Sequence, residues 1–191
     1  MTVRILRAAD RTAAPWKNGG GVTREIAARP EGAGTDTFAW RVSLAEVGAD
    51  GPFSVFPEVA RTLTVAEGAG MELTVGGERR RVAERFAPQD FAGDTETYGR
   101  LLDGPVVNFN VMYRRALTEA LTSVVRGRTA VGVPPGATVL IVALDGAAVL
   151  EDAGVALGPG DAALVTGDAP GVLRADGHTA LVTLRDRVPD A

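Results

Sequence analysis

Glycine and proline interrupt this chain so often that no long helix fits between them. The 191 residues include 24 glycines and 11 prolines, and the segments they leave are short, apolar and often alternating. In Phe38–Val47, Trp40, Val42 and Leu44 fall on one face, and Arg41, Ser43 and Ala45 on the other. In Val106–Arg114, Val107, Phe109, Val111 and Tyr113 oppose Asn108, Asn110, Met112 and Arg114. Strands are also expected at Val22–Ala28, Arg61–Glu67, Met71–Val75, Thr122–Arg126, Val139–Leu144, Ala147–Leu150, Asp161–Val165 and Ala180–Arg185. Turn signals such as Asp50-Gly51-Pro52, Gly76-Gly77, Asp103-Gly104-Pro105 and Pro134-Pro135-Gly136 separate them. One short helical piece is expected, at Ala116–Leu121. Many short strands at close spacing predict an all-β sandwich or barrel.

A weak internal repeat refines this expectation. Thr62–Gly68 and Val139–Gly146 are both apolar strands closed by an acidic residue and glycine. Downstream, each half has a second turn with Gly-Asp, at Gly93-Asp94 and at Gly167-Asp168. The first pair of glycines lies 78 residues apart and the second pair of aspartates 74 apart, so the copies nearly keep register. Two equivalent β units in tandem are therefore expected, a duplicated barrel joined around residues 115–121.

Composition excludes several chemistries. With no cysteine there is no disulfide framework, thiolate metal site or cysteine nucleophile. With one histidine, His178, no site can use two or three imidazoles, and a Ser-His-Asp triad would have to run through that residue. His178 sits in Asp176-Gly177-His178-Thr179, which reads as a surface hairpin turn. A net charge of −4 disfavours nucleic acid and anionic membrane as partners. The first residues show no apolar signal segment, and no stretch approaches the ~18 apolar residues of a membrane span. A cytoplasmic protein is expected.

Polar chemistry is concentrated in the first half. Trp16-Lys17-Asn18-Gly19-Gly20-Gly21-Val22-Thr23-Arg24-Glu25-Ile26 joins a glycine run to an unusual set of polar and aromatic residues. The run reads either as a turn entering a strand or as a backbone nest for an anion, and it is not a phosphate-binding P-loop. Phe38–Ser43 places Arg41 and Ser43 opposite Trp40; either face can point into a barrel. Asp50-Gly51-Pro52-Phe53-Ser54-Val55-Phe56-Pro57 is a rigid aromatic loop that can wall a pocket or plug a barrel mouth. Asn108, Asn110, Met112 and Arg114 share one strand face, and Arg41, Arg61 and Arg114 are three guanidiniums able to converge on a carboxylate.

These motifs, in this order through most of the first 115 residues, resemble the HutD/Ves family. The resemblance implies a bicupin, two cupin-like β-barrels, with residues 1–115 forming the barrel that carries the ligand pocket and 116–191 a second, structural barrel. It implies a small-molecule binder associated with bacterial histidine utilisation, with formylglutamate or urocanate as ligand. The matching residues Asn18, Thr23, Arg24, Trp40, Arg41, Ser43, Phe56, Arg61, Asn110, Met112 and Arg114 are where the resemblance places the pocket. Two positions depart from the pattern. Glu58-Val59-Ala60-Arg61 lacks the glycine after proline and the acidic residue before arginine, and Asn108 stands where the family commonly has aspartate. Metal-dependent cupins need several histidines and a carboxylate, which this chain cannot supply, so a site without metal or other cofactor is expected.

Two functional readings follow. The first is a non-catalytic regulator binding a small anionic metabolite through Arg41, Arg61 and Arg114, with Asn18 and Asn110 orienting it between Trp40 and Phe56. The second is a metal-independent isomerase or hydrolase using Glu25 as acid and base, with Arg24 or Lys17 as the electrophilic group. A structural β protein whose second barrel serves mainly as a homodimer surface is a third reading, and the sequence selects no strand edge for it.

Overall fold

The computed structural model describes residues 2–16, 19–167 and 171–187. Within them the chain runs through β1 (Thr2–Leu6), β2 (Ala13–Pro15), β3 (Gly21–Arg29), β4 (Trp40–Val47), β5 (Gly51–Pro52), β6 (Val59–Glu67), β7 (Met71–Val75), β8 (Glu78–Val82) and β9 (Gln89–Ala92). It continues through β10 (Thr97–Leu101), β11 (Val106–Arg114), β12 (Thr118–Val131), β13 (Ala137–Ala143), β14 (Ala148–Leu150), β15 (Val155–Leu157), β16 (Ala162–Thr166) and β17 (Gly171–Asp186). Helix is confined to two 3-10 turns, Ala8–Asp10 and Glu151–Ala153, and no helix of the described residues is long and apolar enough to cross a membrane. The protein is all-β, as the punctuated sequence predicts.

Two compact units result, and their boundary departs from a cut at 115/116. Thr12–Leu117 form one; the residues up to Arg11 join those from Thr118 onward in the other. The cause is β1, which pairs antiparallel along β16 from Thr2↔Thr166 to Leu6↔Ala162. Asp161 secures the chain after it, accepting hydrogen bonds from Arg7 Nη1 at 2.7 Å and from the Ala8 N–H at 2.8 Å. A strand that pairs with one some 160 residues away leaves no local mark of its partner.

The unit of Thr12–Leu117 holds a six-stranded sheet in the order β2-β3-β4-β11-β6-β9 and a four-stranded sheet in the order β5-β10-β7-β8. Leu63 and Val65 from β6 pack with Met71, Leu73, Val75, Val82 and Phe91 as its core. The other unit is one seven-stranded sheet in the order β1-β16-β13-β17-β14-β15, with β12 also paired to β17. Sixteen residues long, β17 curls enough to pair with β13 through Thr179–Arg185 and with β14 through Leu173–Ala175. Its hydrophobic core is built from residues such as Val139, Ile141, Leu150, Leu157, Val165 and Leu173.

The repeat has a structural basis. Within its own sheet β6 lies between β11 and β9, and β13 lies between β17 and β16. The glycines that close the two turns, Gly68 and Gly146, have φ of 92° and 71°, a region where a side chain is strained. Asp168 lies outside the described residues.

Two local expectations are corrected. Ala116–Leu121 is not helical: after a turn in which the Leu117 N–H donates to Arg114 O, β12 begins at Thr118 and pairs along β17. Six residues without a cap cannot meet the cost of helix nucleation, whereas the β17 ladder supplies their partners at once. His178 is not in a hairpin turn but inside β17, where an irregularity interrupts the β12 ladder between Val125 and Gly127. Its backbone N–H donates to Asp145 Oδ1, and its ring Nδ1 lies 3.1 Å from Asp145 Oδ2.

Candidate functional site

Register builds the site. Across β4, β11 and β6, Arg41, Met112 and Arg61 form one row. One step along, Glu25 of β3 aligns with Ser43, Asn110 and Leu63; the next step aligns Thr23, Ala45, Asn108 and Val65. Because side chains alternate, these three rows share one face of the sheet. The opposite face carries Trp40, Val42, Phe109 and Val111, all buried. Polar residues on the first face line a cavity of about 480 Å3 with Trp16, Thr35, Pro52, Phe53, Ser54 and Phe56, which come from the loops and hairpin at its rim.

Seven of the residues singled out from sequence line this cavity: Thr23, Arg41, Ser43, Phe56, Arg61, Asn110 and Met112. Three do not. Arg24 alternates to the outer face and ion-pairs with Glu46, both exposed. Trp40 is 4% exposed on the buried reverse face of β4. Arg114 turns to the backbone: Nε donates to Phe38 O at 3.0 Å and Nη2 to Asp36 O at 2.5 Å, with its guanidinium 5.6 Å from the Phe38 ring centre. The three-arginine convergence is thus corrected to two, because Arg114 satisfies the carbonyls of the 36–38 loop. Asn18 and Lys17 lie outside the described residues.

Arg61 is the unusual member. Its residue is 9% exposed, its Nε has no hydrogen-bond acceptor, and no carboxylate among the described residues pairs with it. Three aromatic rings surround its guanidinium: Phe53 at 5.0 Å, Phe91 at 5.1 Å and Phe56 at 5.9 Å from the ring centres. Burial lowers its pKa to about 10, which still leaves it charged at neutral pH. Arg41 is treated differently, its Nε donating to Glu25 Oε2 at 2.6 Å. Glu25 is therefore committed to an ion pair, and the cavity lining itself contains no carboxylate or imidazole.

The rim is held by specific contacts. Trp16 pairs with the start of β3, its backbone N–H donating to Gly21 O at 2.9 Å and its indole N–H to Thr23 Oγ1 at 2.8 Å. On the other side, Phe53 N–H donates to Thr97 O and Phe56 N–H to Gly93 O, both at 2.8 Å. Arg115 binds Val59 O at 3.2 Å and Asp94 Oδ2 at 2.5 Å, bracing the turn that follows Phe56. Trp16 and Asn108 line the cavity without having been among the residues placed there from sequence, and Phe53 lines it from the aromatic loop read as able to wall a pocket. The signal for all three was their place within those motifs.

A metal does not fit this donor set. The lining offers guanidinium, amide, hydroxyl and thioether groups, and among the described residues no group of three His, Cys, Asp or Glu side chains is placed to hold an ion.

Comparison with known proteins agrees with this organisation. The HutD family model matches residues 8–183. An uncharacterised 21.2 kDa protein of Pseudomonas putida, from the 3' region of hutC, is 41% identical over 111 residues, 58% of each chain, so the match spans under two thirds of that relative. Protein Ves of Cronobacter sakazakii is 36% identical over 138 residues, covering 72% of this chain and 74% of Ves. The structure of HutD from Pseudomonas fluorescens SBW25 superposes with a TM-score of 0.88 at 34% identity, over 98% of this chain and 100% of that one. The two curled β units are the tandem barrels of a bicupin, and with a family match running almost from end to end, the chain belongs to the HutD family.

Proposed function

We propose that this protein is a metal-free binder of a small carboxylate metabolite, acting in the cytoplasm as a regulator of histidine utilisation. Arg61 carries the reading. Its Nε is buried without an acceptor among the described residues, and burying a charged group is costly unless an opposite charge pairs with it. A carboxylate in the cavity supplies that partner, each charge-assisted bond contributing roughly 1.5–3 kcal/mol. Arg41 stands across Met112 as a second contact whose charge Glu25 already balances. Phe53, Phe56 and Trp16 wall the space between. The association of the HutD family with the histidine-utilisation locus supports urocanate or formylglutamate as the ligand. The apolar core of the other unit supports a structural role for it.

Calorimetric titration with urocanate and formylglutamate tests this directly. Binding to the wild type that is lost in Arg61→Met and Arg41→Ala is the expected result. Absence of heat with both acids, at protein concentrations suited to weak binding, counts against it.

A further inference from the structure

The cavity has a second polar end, where two amide oxygens have no donor among the described residues. Asn110 and Asn108 lie one and two steps along β11 from the row of Arg41, Met112 and Arg61, on the same face. Asn108 is 1% exposed, and its Nδ2 lies 3.5 Å from Met71 Sδ. A thioether accepts hydrogen bonds and cannot donate them, so the amide is oriented with Oδ1 turned away from the sulfur. That oxygen is buried without a donor. Asn110 spends an N–H on the Asn108 backbone carbonyl at 3.3 Å, and no donor among the described residues reaches its Oδ1. One end of the strand face therefore presents positive charge, and the other presents two amide oxygens that no donor among the described residues reaches.

Buried acceptors are satisfied in folded proteins with very few exceptions, and the cost of leaving one unmade exceeds the gain from making it. Resting on the carboxylate reading above, we propose that the ligand also carries an N–H or O–H donor. The amide oxygen of Asn110 receives it, with that of Asn108 behind. One two-residue step of strand sets donor and carboxylate roughly 7 Å apart. The ligand class is thus a small acid with a hydrogen-bond donor at its far end, and simple alkyl or aryl carboxylates are expected to bind more weakly.

Two probes isolate the donor. Urocanate joins a propenoate to a five-membered ring bearing N–H; 3-(2-furyl)acrylate has the same acid and ring size without it. On the wild type, urocanate is expected to bind at least tenfold more tightly, and in Asn110→Leu the two affinities are expected to fall within twofold of each other. Asn108→Leu adds a readout independent of ligand: replacing an unsatisfied acceptor with an apolar group of similar size raises the melting temperature of the free protein. It also shrinks the urocanate preference. Equal binding of the two acids to the wild type, or a preference that survives both substitutions, overturns the donor inference and leaves the carboxylate site standing. If neither acid binds the wild type, or both bind Arg61→Met as well as they bind the wild type, the carboxylate reading fails and takes this inference with it.

Discussion

Arg41 and Arg61 stand in one cross-strand row with Met112 between them, yet only Arg41 has a carboxylate partner. Their Cα atoms are separated by two strand spacings, roughly 10 Å. The two positive charges face one cavity from opposite sides, one neutralised by Glu25 and one surrounded by phenyl rings. That asymmetry gives the cavity a preferred end for an anion, and it separates the energetics of the two arginines.

Arg61→Met is expected to abolish carboxylate binding while stabilising the free protein. Desolvation lowers the Arg61 pKa from its ordinary value to about 10, equivalent to about 3 kcal/mol of burial cost. Loss of the ring contacts offsets part of this, leaving a net gain on the order of 1–2 kcal/mol. The sign with pH follows from the lowered value. Below about pH 10 the guanidinium is charged in both folded and unfolded chains, and the cost is complete. As pH rises above that value the folded chain releases the proton first, and the cost fades. Denaturant unfolding of both proteins at pH 8 and near pH 11 should show the gap narrowing. A variant less stable than the wild type at pH 8 would show that the aromatic contacts outweigh desolvation.

The Arg41–Met112–Arg61 row was half legible in the sequence. Alternation put Asn108, Asn110 and Met112 on one strand face and Arg41 with Ser43 on another, because a strand has a period of two whatever surrounds it. Which face turns toward a cavity depends on what covers the reverse side, and that is set by packing far away in sequence. Trp40, read as a pocket wall, went to the buried side for this reason. Arg114 shows a different limit. It shares the face of Met112 by parity, but it ends its strand, where unpaired loop carbonyls compete for a guanidinium. Long-range pairing such as β1 with β16 was invisible, since Thr2–Leu6 contains no trace of Ala162–Thr166.

Arg114→Ala is expected to behave oppositely to Arg61→Met. Its guanidinium holds the carbonyls of Asp36 and Phe38, and charge-assisted bonds of this kind make the substitution destabilising by about 2 kcal/mol. Unfolding midpoints should fall, and urocanate affinity measured well below the melting temperature should change less than threefold. A loss of affinity equal to that of Arg61→Met would return Arg114 to the binding site.

Acid should loosen the aromatic rim. The hydrogen bond from Arg115 holds the Asp94 carboxyl below its ordinary value, so its contribution is present above the usual carboxylate range and lost as pH falls through the lowered one. Arg115 braces Val59 O beside Phe56, so the 53–58 loop is expected to gain hydrogen exchange at acidic pH before the sheets do. In Arg115→Ala the faster exchange should already appear at neutral pH and no longer respond to Asp94. Uniform exchange across loop and sheets would show that the bridge does not control the rim.

Gly21 tests the opposite rim. A Cβ there would lie 2.5 Å from Glu46 O and 3.1 Å from two ring carbons of Trp16. The first distance is to a backbone carbonyl and too short for any side chain, so Gly21→Ala must shift β3 or β4, at roughly 1–3 kcal/mol, and it presses on the indole as well. Displacing the indole from its 3.1 Å contacts breaks its 2.8 Å bond to Thr23 Oγ1. Trp16 and Trp40 are the protein's two tryptophans, and Trp40 is buried. A change in quenching by acrylamide in Gly21→Ala therefore reports on Trp16, with Trp16→Phe giving the Trp40 signal alone. Greater quenching and weaker urocanate binding together are the expected outcome. Greater quenching with unchanged affinity would confine Trp16 to pairing with the start of β3 and remove it from the wall of the site.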